Sequence, residues 1–79
     1  MSIKEVKKMS ELAKNLRNCR ENKGLTTTEL AEKVGTSQSA ISYFERGKKI
    51  PSVATLESIA DTLEVSMDYL MGRRIEETA

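Results

Sequence analysis

Histidine and tryptophan are absent from this 79-residue chain, and cysteine, proline and phenylalanine each occur once. A single cysteine excludes a disulfide within the chain, and the lack of histidine argues against a zinc cluster with cysteine and histidine ligands. Cys19 is therefore expected to be a small apolar residue on the inner face of the first helix. We expect neither a bound metal nor a cofactor.

Catalytic signatures are missing as well. The chain has no histidine to act as a base, no glycine-rich phosphate loop and no nucleophile beside a plausible base. Glu29 and Glu32 come nearest to a carboxylate pair, but a solvated helix face explains them better. We therefore assign no catalytic residues and do not expect an enzyme.

Long apolar runs are also lacking, since the longest is the three residues from Tyr69 to Met71. A membrane-spanning helix needs about 20 predominantly apolar residues. The early lysines Lys4, Lys7 and Lys8 are not followed by the apolar stretch of a signal peptide. These features predict a cytoplasmic protein that does not contact a membrane.

The net charge is only +1, but the charge is unevenly distributed. Residues 1–49 carry eleven basic and six acidic side chains, whereas residues 50–79 carry two basic and six acidic ones. The first part can therefore face nucleic-acid phosphates while the second stays in solvent or meets a partner.

Five helices are predicted, because capping residues and glycine stops separate segments with helical apolar spacing, and no segment alternates as a strand does. The helices cover about 10–22, 27–34, 38–46, 53–63 and 67–71. The predicted N-caps are Thr26, Ser37, Ser52 and Ser66, and the stops are Gly24, Gly35, Gly47 and Gly72. The predicted inward residues outside the second and third helices are Leu12, Ala13, Leu16, Cys19, Val53, Leu56, Ile59, Ala60, Leu63, Met67, Leu70 and Met71.

These helices predict one small all-α domain over residues 10–72, followed by a tail at 73–79. Residues 1–9 leave two alternatives open. In one, Ser2 and Glu5 form a capping box and the first helix begins early. In the other, the segment is a frayed arm rich in lysine.

The stretch 27–46 has the pattern of a helix-turn-helix. Leu30 and Val34 are spaced as on one helix, Ile41 and Phe44 as on a second, and Gly35 lies between them where a helix-ending residue takes the left-handed conformation. In this motif the second helix enters the major groove of DNA. The pattern predicts sequence-specific binding of double-stranded DNA.

Helical geometry places several small polar side chains opposite the apolar face of the third helix. The carboxamide of Gln38 has the donor and acceptor that recognise adenine. Thr27 lies at the start of the second helix, where the helix dipole favours an anion. The predicted base-reading residues are Gln38, Ser39, Ala40, Ser42 and Tyr43, and the predicted phosphate-binding residues are Thr27, Arg46, Lys48, Lys49, Lys14 and Arg17. For Tyr43, a base and a phosphate are alternative targets of its hydroxyl.

Fixed-spacing elements of the chain resemble the phage repressor and Cro-like helix-turn-helix family, also named for xenobiotic-response-element regulators. They are Gly24-Leu25-Thr26, Glu29-Leu30-Ala31, Gly35, Ile41-Ser42, Glu45-Arg46-Gly47, Pro51-Ser52 and the closing segment from Leu63 to Gly72. The resemblance implies a compact five-helix lambda-repressor-like domain that acts as a transcriptional regulator, in the first instance a repressor. It also implies an ion pair between Arg20 and Glu45.

Two positions depart from the family pattern. Where many phage repressors have a glutamine that braces both a phosphate and the third helix, this chain has the shorter Thr27. Its hydroxyl can still contact a phosphate, while the sequence leaves open whether it braces Gln38. Tyr43 is bulkier than the polar residue common at its position.

A homodimer is expected, because one short recognition helix reads too few base pairs to select a site from a genome. The apolar residues assigned to the interface are Met67, Tyr69, Met71 and Ile75. A protein-interaction or antitoxin-type module of the same fold is the alternative function. A small-molecule ligand is not expected, and phage, mobile-element, restriction-controller and host roles all fit the sequence.

Overall fold

The computed structural model describes the backbone of residues 3–72 and the side chains of residues 11–72. Over that range the chain forms five helices and no strand: α1 (Ile3–Asn22), α2 (Thr27–Val34), α3 (Gln38–Glu45), α4 (Val53–Leu63) and α5 (Met67–Leu70). The predicted all-α, five-helix fold is confirmed. None of these helices is both long and apolar enough to cross a membrane.

The described part of α1 extends back to Ile3, so residues 3–9 continue the helix that was predicted from residue 10. Ser2 of the proposed capping box lies outside the described residues, as do the side chains of Ile3, Val6 and Met9. The tail at 73–79, with Ile75, also lies outside them.

Four predicted N-caps are confirmed, because each hydroxyl accepts a hydrogen bond from the backbone N–H three residues later. Thr26, Ser37, Ser52 and Ser66 accept from Glu29, Ala40, Thr55 and Tyr69 over 3.0, 3.0, 3.2 and 3.0 Å, respectively. Each bond satisfies one of the N–H groups that a helix start leaves without a partner. The helix starts are thus fixed by contacts between residues close in sequence.

The core lies where α1 packs on α3 and α5, α2 packs on α3 and α4, and α4 packs on α5. Leu16, Leu30, Ile41, Ile59 and Leu70 are its largest fully buried side chains. The predicted inward residues of α1 are all buried, and Met67 and Met71 pack against the core while remaining partly exposed.

Val53 is an exception, since it was predicted to face inward and is 73% exposed. It is the first residue of α4, whose buried residues begin one turn later, at Leu56. The neighbouring Pro51 is buried instead.

Candidate DNA interface

The turn between α2 and α3 holds the two helices in a fixed relation. Gly35 has φ of 84°, in the left-handed region that glycine reaches without steric cost, and its N–H donates to the carbonyl of Ala31 over 2.9 Å. The N–H of Thr36 donates to the same carbonyl over 2.9 Å. Ala31 is buried in the core shared by α2 and α3, so its small side chain suits a close approach of the two helices.

Gln38 is exposed at the start of α3, and its side chain is held by α2. Its amide Nε2 donates a hydrogen bond to the hydroxyl Oγ1 of Thr27 over 3.1 Å. The question left open by the sequence is thereby answered, because the shorter threonine does brace Gln38. The bond leaves the second Nε2 hydrogen and the carbonyl oxygen Oε1 of Gln38 free to meet another group.

The first turn of α2 contains a capping box with both of its hydrogen bonds formed, and two further backbone N–H groups without a partner in the helix. The carboxylate of Glu29 accepts from the N–H of Thr26 over 2.8 Å, and the hydroxyl of Thr26 accepts from the N–H of Glu29. These hydrogen bonds, chiefly the one from the Thr26 backbone, hold the pKa of Glu29 below its usual range. The next two N–H groups, of Thr27 and Thr28, have no partner within a helix of this geometry. They can donate to an anion, although the charge of Glu29 opposes its approach.

The other predicted base-reading residues are not equally accessible. Ser39 is exposed and Tyr43 is 38% exposed. Ser42 is half-buried, and Ala40 is half-buried and packs against the core. The structure therefore brings Gln38, Ser39 and Tyr43 to the surface and turns Ala40 partly away from it.

Two of the predicted phosphate-binding cations lie close to the ring of Tyr43. The guanidinium carbon of Arg46 and the ammonium nitrogen of Lys49 each lie 5.2 Å from the centre of its ring. Lys48 is exposed and has no ring contact among the described residues. The sequence predicted each of these four residues as a DNA contact. It did not predict that two of the cations lie beside the ring, because that depends on the path of the loop after α3.

The two predicted cations of α1 differ in their surroundings. Arg17 forms an exposed pair with Glu21, 3.5 Å from its carboxylate, whereas Lys14 is exposed without an ion pair in the described side chains. Arg17 is one helical turn from Ala13, whose side chain lies near Gly47 after α3. Arg17 is thus on the side of α1 that faces the end of α3.

Arg20 and Glu45 form an ion pair that ties α1 to α3. The guanidinium donates from Nε to Oε2 over 2.6 Å and from Nη2 to Oε1 over 3.0 Å, and its Nη1 donates to the carbonyl of Leu25 over 2.7 Å. The hydrogen bond with Glu45 raises the pKa of Arg20. Both side chains are nearly buried, with 11% and 8% exposure.

The predicted dimer residues at α5 are only partly free. Tyr69 is 57% exposed, whereas Met67 and Met71 are half-buried against the core. Two exposed apolar residues were not predicted, Ile50 at 56% and Val53 at 73%.

Asn15, which sequence reasoning missed, anchors α5 by donating to the backbone carbonyls of Tyr69 and Leu70 over 3.1 and 3.3 Å. No pattern in the sequence indicates this contact, because the residues are more than 50 positions apart.

Known proteins resemble this chain over most of its length. A family model described as helix-turn-helix matches residues 16–70. The chain is 39% identical over 59 residues to the uncharacterized HTH-type transcriptional regulator YqaE of Bacillus subtilis strain 168, an alignment that covers 75% of this chain and 51% of that protein. It is 36% identical over 67 residues to the antitoxin HipB of Escherichia coli O6:H1 strain CFT073, covering 85% and 71% of the two chains.

A solved structure with a similar fold is that of SinR, described as the master regulator for biofilm formation, in complex with DNA. The two share a TM-score of 0.72 and 34% sequence identity, over 76% of this chain and 97% of that one. The chain spans about half the length of the curated relatives YqaE and ImmR of Bacillus subtilis, at 51% and 49%.

Proposed function

This chain belongs to the helix-turn-helix family, and from that premise we propose that it is a transcriptional regulator that binds double-stranded DNA by sequence. In this proposal α3 enters the major groove and Gln38, Ser39 and Tyr43 face the DNA. The role is one of binding rather than catalysis, in keeping with relatives that are named as regulators. A cytoplasmic location is part of the proposal, because the DNA would be bound there.

The observation that carries the proposal is the hydrogen bond between Gln38 and Thr27 at the exposed start of α3. It holds the carboxamide with one N–H and one carbonyl oxygen free, which is the pair of groups that bonds to N7 and N6 of adenine. The Thr27 hydroxyl accepts from Gln38, so its own hydrogen is free to donate to a phosphate oxygen. In this proposal, the hydrogen bond between Gln38 and Thr27 couples the base that Gln38 reads to the DNA phosphate that Thr27 contacts.

Affinity would come mainly from phosphates, as in other DNA-binding proteins. The candidates remain Thr27 with the first N–H groups of α2, the cations Arg46, Lys48 and Lys49, and the α1 residues Lys14 and Arg17. Of these, Arg17 is paired with Glu21 and must leave that carboxylate to bind a phosphate.

We propose that the protein acts as a homodimer on a palindromic site. Two copies double the number of bases read, and the centres of the half-sites would lie about 34–36 Å apart, one turn of DNA. The interface is proposed at α5, around the exposed ring of Tyr69. No small-molecule ligand is part of this proposal.

The experiment that tests the function begins with selection of bound sites from random DNA. Gln38→Ala should then weaken binding to the selected site by about 1–3 kcal/mol and leave binding to unrelated DNA unchanged, because the substitution removes only hydrogen bonds to a base. Affinities measured by fluorescence anisotropy on both duplexes distinguish the two effects.

Two further variants serve as a matched pair in that experiment. Thr27→Val removes the hydroxyl that braces Gln38 and should weaken binding to the selected site, whereas Thr28→Ala alters the next exposed residue and should not lower its specificity. Equal losses on both duplexes for Gln38→Ala would mean that Gln38 positions the protein and reads no base.

A module that binds a protein partner instead of DNA is the second candidate, supported by the similarity to the antitoxin HipB. The same selection separates the two functions. If no site is enriched and binding shows no dependence on salt, the regulator proposal fails and the partner-binding function takes its place.

A further inference from the structure

A cluster of three side chains lies at the end of α3 and in the loop that follows. Arg46 and Lys49 each place their charge 5.2 Å from the centre of the Tyr43 ring, within the roughly 6 Å over which an aromatic face attracts a cation. The ring is 38% exposed and both cations are exposed. A single ring therefore holds two positive charges at the surface, separated by at most twice that distance.

This cluster has unbalanced positive charge. No carboxylate pairs with Arg46 or Lys49 among residues 11–72. The acid adjacent in sequence, Glu45, is already bonded on both oxygens by Arg20. Two like charges held within twice 5.2 Å of each other repel, and an anion that approaches both lowers the energy of the arrangement.

The position of the cluster identifies the anion. Tyr43 follows Gln38 by five residues, which is about 7.5 Å along the axis of α3. Recognition helices place their N-terminal residues on the bases. With Gln38 at that end, the opposite end of α3 and its following loop lie towards the sugar–phosphate backbone.

We propose that Tyr43 is a positioning residue, whose ring holds Arg46 and Lys49 together as a clamp for a phosphate of the DNA backbone. Its hydroxyl reads no base. The proposal rests on the proposed DNA-binding function. It also assigns different roles to the neighbouring residues Lys48 and Lys49. Lys49 belongs to the clamp, whereas Lys48, which has no ring contact among the described residues, acts independently of Tyr43.

The test compares Tyr43→Phe with Tyr43→Leu on the selected site and on an unrelated duplex of equal length, over a series of salt concentrations. Tyr43→Phe keeps the ring and should keep the slope of log K against log salt, with any change in affinity equal on the two duplexes. Tyr43→Leu removes the ring and should weaken binding to both duplexes alike, because both cations lose the contact that positions them, by at most roughly 25-fold, the worth of two exposed cation–π interactions. It should also reduce the slope of log K against log salt.

The lysines provide a matched control. Lys49→Ala should have a smaller effect in the Tyr43→Leu background than alone, whereas the effect of Lys48→Ala should be the same in both. The double variant Arg46→Ala/Lys49→Ala, with the ring intact, should lower the salt slope by about 0.9 for each phosphate that the protein no longer neutralises. This variant tests the clamp even if Tyr43→Leu melts at a lower temperature.

Three results would overturn the clamp. Tyr43→Phe could lose affinity for the selected site alone, which would assign the hydroxyl to a base. Tyr43→Leu could leave both affinities unchanged, or Lys48 could depend on Tyr43 as strongly as Lys49 does. If the unchanged protein binds neither duplex in a salt-dependent way, the DNA-binding function itself fails, and this outcome is separate from the other three.

Discussion

At the scale of single residues, the pair of Arg20 and Glu45 decides how the end of α3 is held. The guanidinium joins the carboxylate with two hydrogen bonds and the carbonyl of Leu25 with a third, so one side chain of α1 contacts both α3 and the segment before α2. Nearly buried charges lose their hydration, and the attraction between them little more than offsets that cost. The pair therefore fixes position more than it adds stability.

Replacing only one partner should be more destabilising than replacing both. Glu45→Met leaves the guanidinium of Arg20 nearly buried without its counter-charge and should cost about 3–5 kcal/mol of unfolding free energy. The double variant Arg20→Met/Glu45→Met should cost less than this single change, even though the carbonyl of Leu25 loses a donor. Urea unfolding measures the difference.

The exposed pair of Arg17 and Glu21 is the matched control for that experiment. With side-chain exposures of 64% and 53%, replacing both by methionine should change stability by at most about 0.5 kcal/mol. A Glu45→Met variant as stable as this control would show that the pair of Arg20 and Glu45 is not a structural tie.

At the scale of the helix, α2 depends on its capping box. α2 has only eight residues, too few to be stable alone in water. Its start is held by the reciprocal bonds of Thr26 and Glu29, and its end by Gly35. Because Thr27 immediately follows the cap, the same bonds position the hydroxyl that braces Gln38.

The cap should stabilise the domain, and part of its contribution should depend on pH. Thr26→Ala should cost about 0.5–2 kcal/mol. The pKa of Glu29 is lower in the folded state than in the unfolded chain, so its contribution is present at neutral pH and is lost as the pH falls through the folded-state pKa. Glu29→Gln should remove this part of the acid-induced loss of stability.

Glu32→Gln is the control for the pH measurement, since Glu32 is exposed on the same helix but beyond its first turn. Thermal unfolding from neutral to acidic pH compares the variants. Identical pH profiles for Glu29→Gln and the unchanged protein would contradict a capping role for the charge.

At the scale of the whole molecule, the uneven charge fits a protein with one face on DNA. Residues 1–49 include every proposed DNA contact, whereas the acidic residues outnumber the basic ones in residues 50–79. In the proposed dimer through α5, the acidic residues 50–79 of the two copies would repel each other. The attraction between the copies would therefore have to come from a small apolar contact. Such a contact favours assembly on the operator over assembly in free solution.

Tyr69→Ser should weaken that assembly. Large aromatic residues dominate the energy of small interfaces, so binding to a palindromic site should fall by about tenfold or more, while binding to an isolated half-site stays unchanged. Sedimentation of the complex at saturating protein gives the number of copies per site.

Val53→Ser is the matched control, because Val53 is also an exposed apolar residue but lies on another helix. If this change and not Tyr69→Ser prevents assembly, the interface lies at the start of α4. One copy per palindromic site for the unchanged protein would rule out the dimer.

The helices, the N-caps of α2 to α5, the turn at Gly35 and nearly all of the core could be predicted from the sequence. The physical reason is that these features are local. A cap joins residues three apart, and a buried stripe repeats with the period of the helix, so both are visible in a short stretch of sequence. The same reasoning placed Gln38 on the outer face of α3, where it is exposed.

Which distant residues meet could not be predicted in this way, because it depends on how the helices pack. The brace from Thr27 to Gln38, the tie from Asn15 to α5 and the exposure of Val53 depend on how the helices cross and where each one ends. The end of α4 is a further case, because Glu64 takes the left-handed conformation at φ of 59° and its carboxylate accepts a hydrogen bond from Lys23. No glycine marks that turn, and the two partners are 41 residues apart. Such contacts are fixed by the packing of whole helices, which the spacing within one helix does not encode.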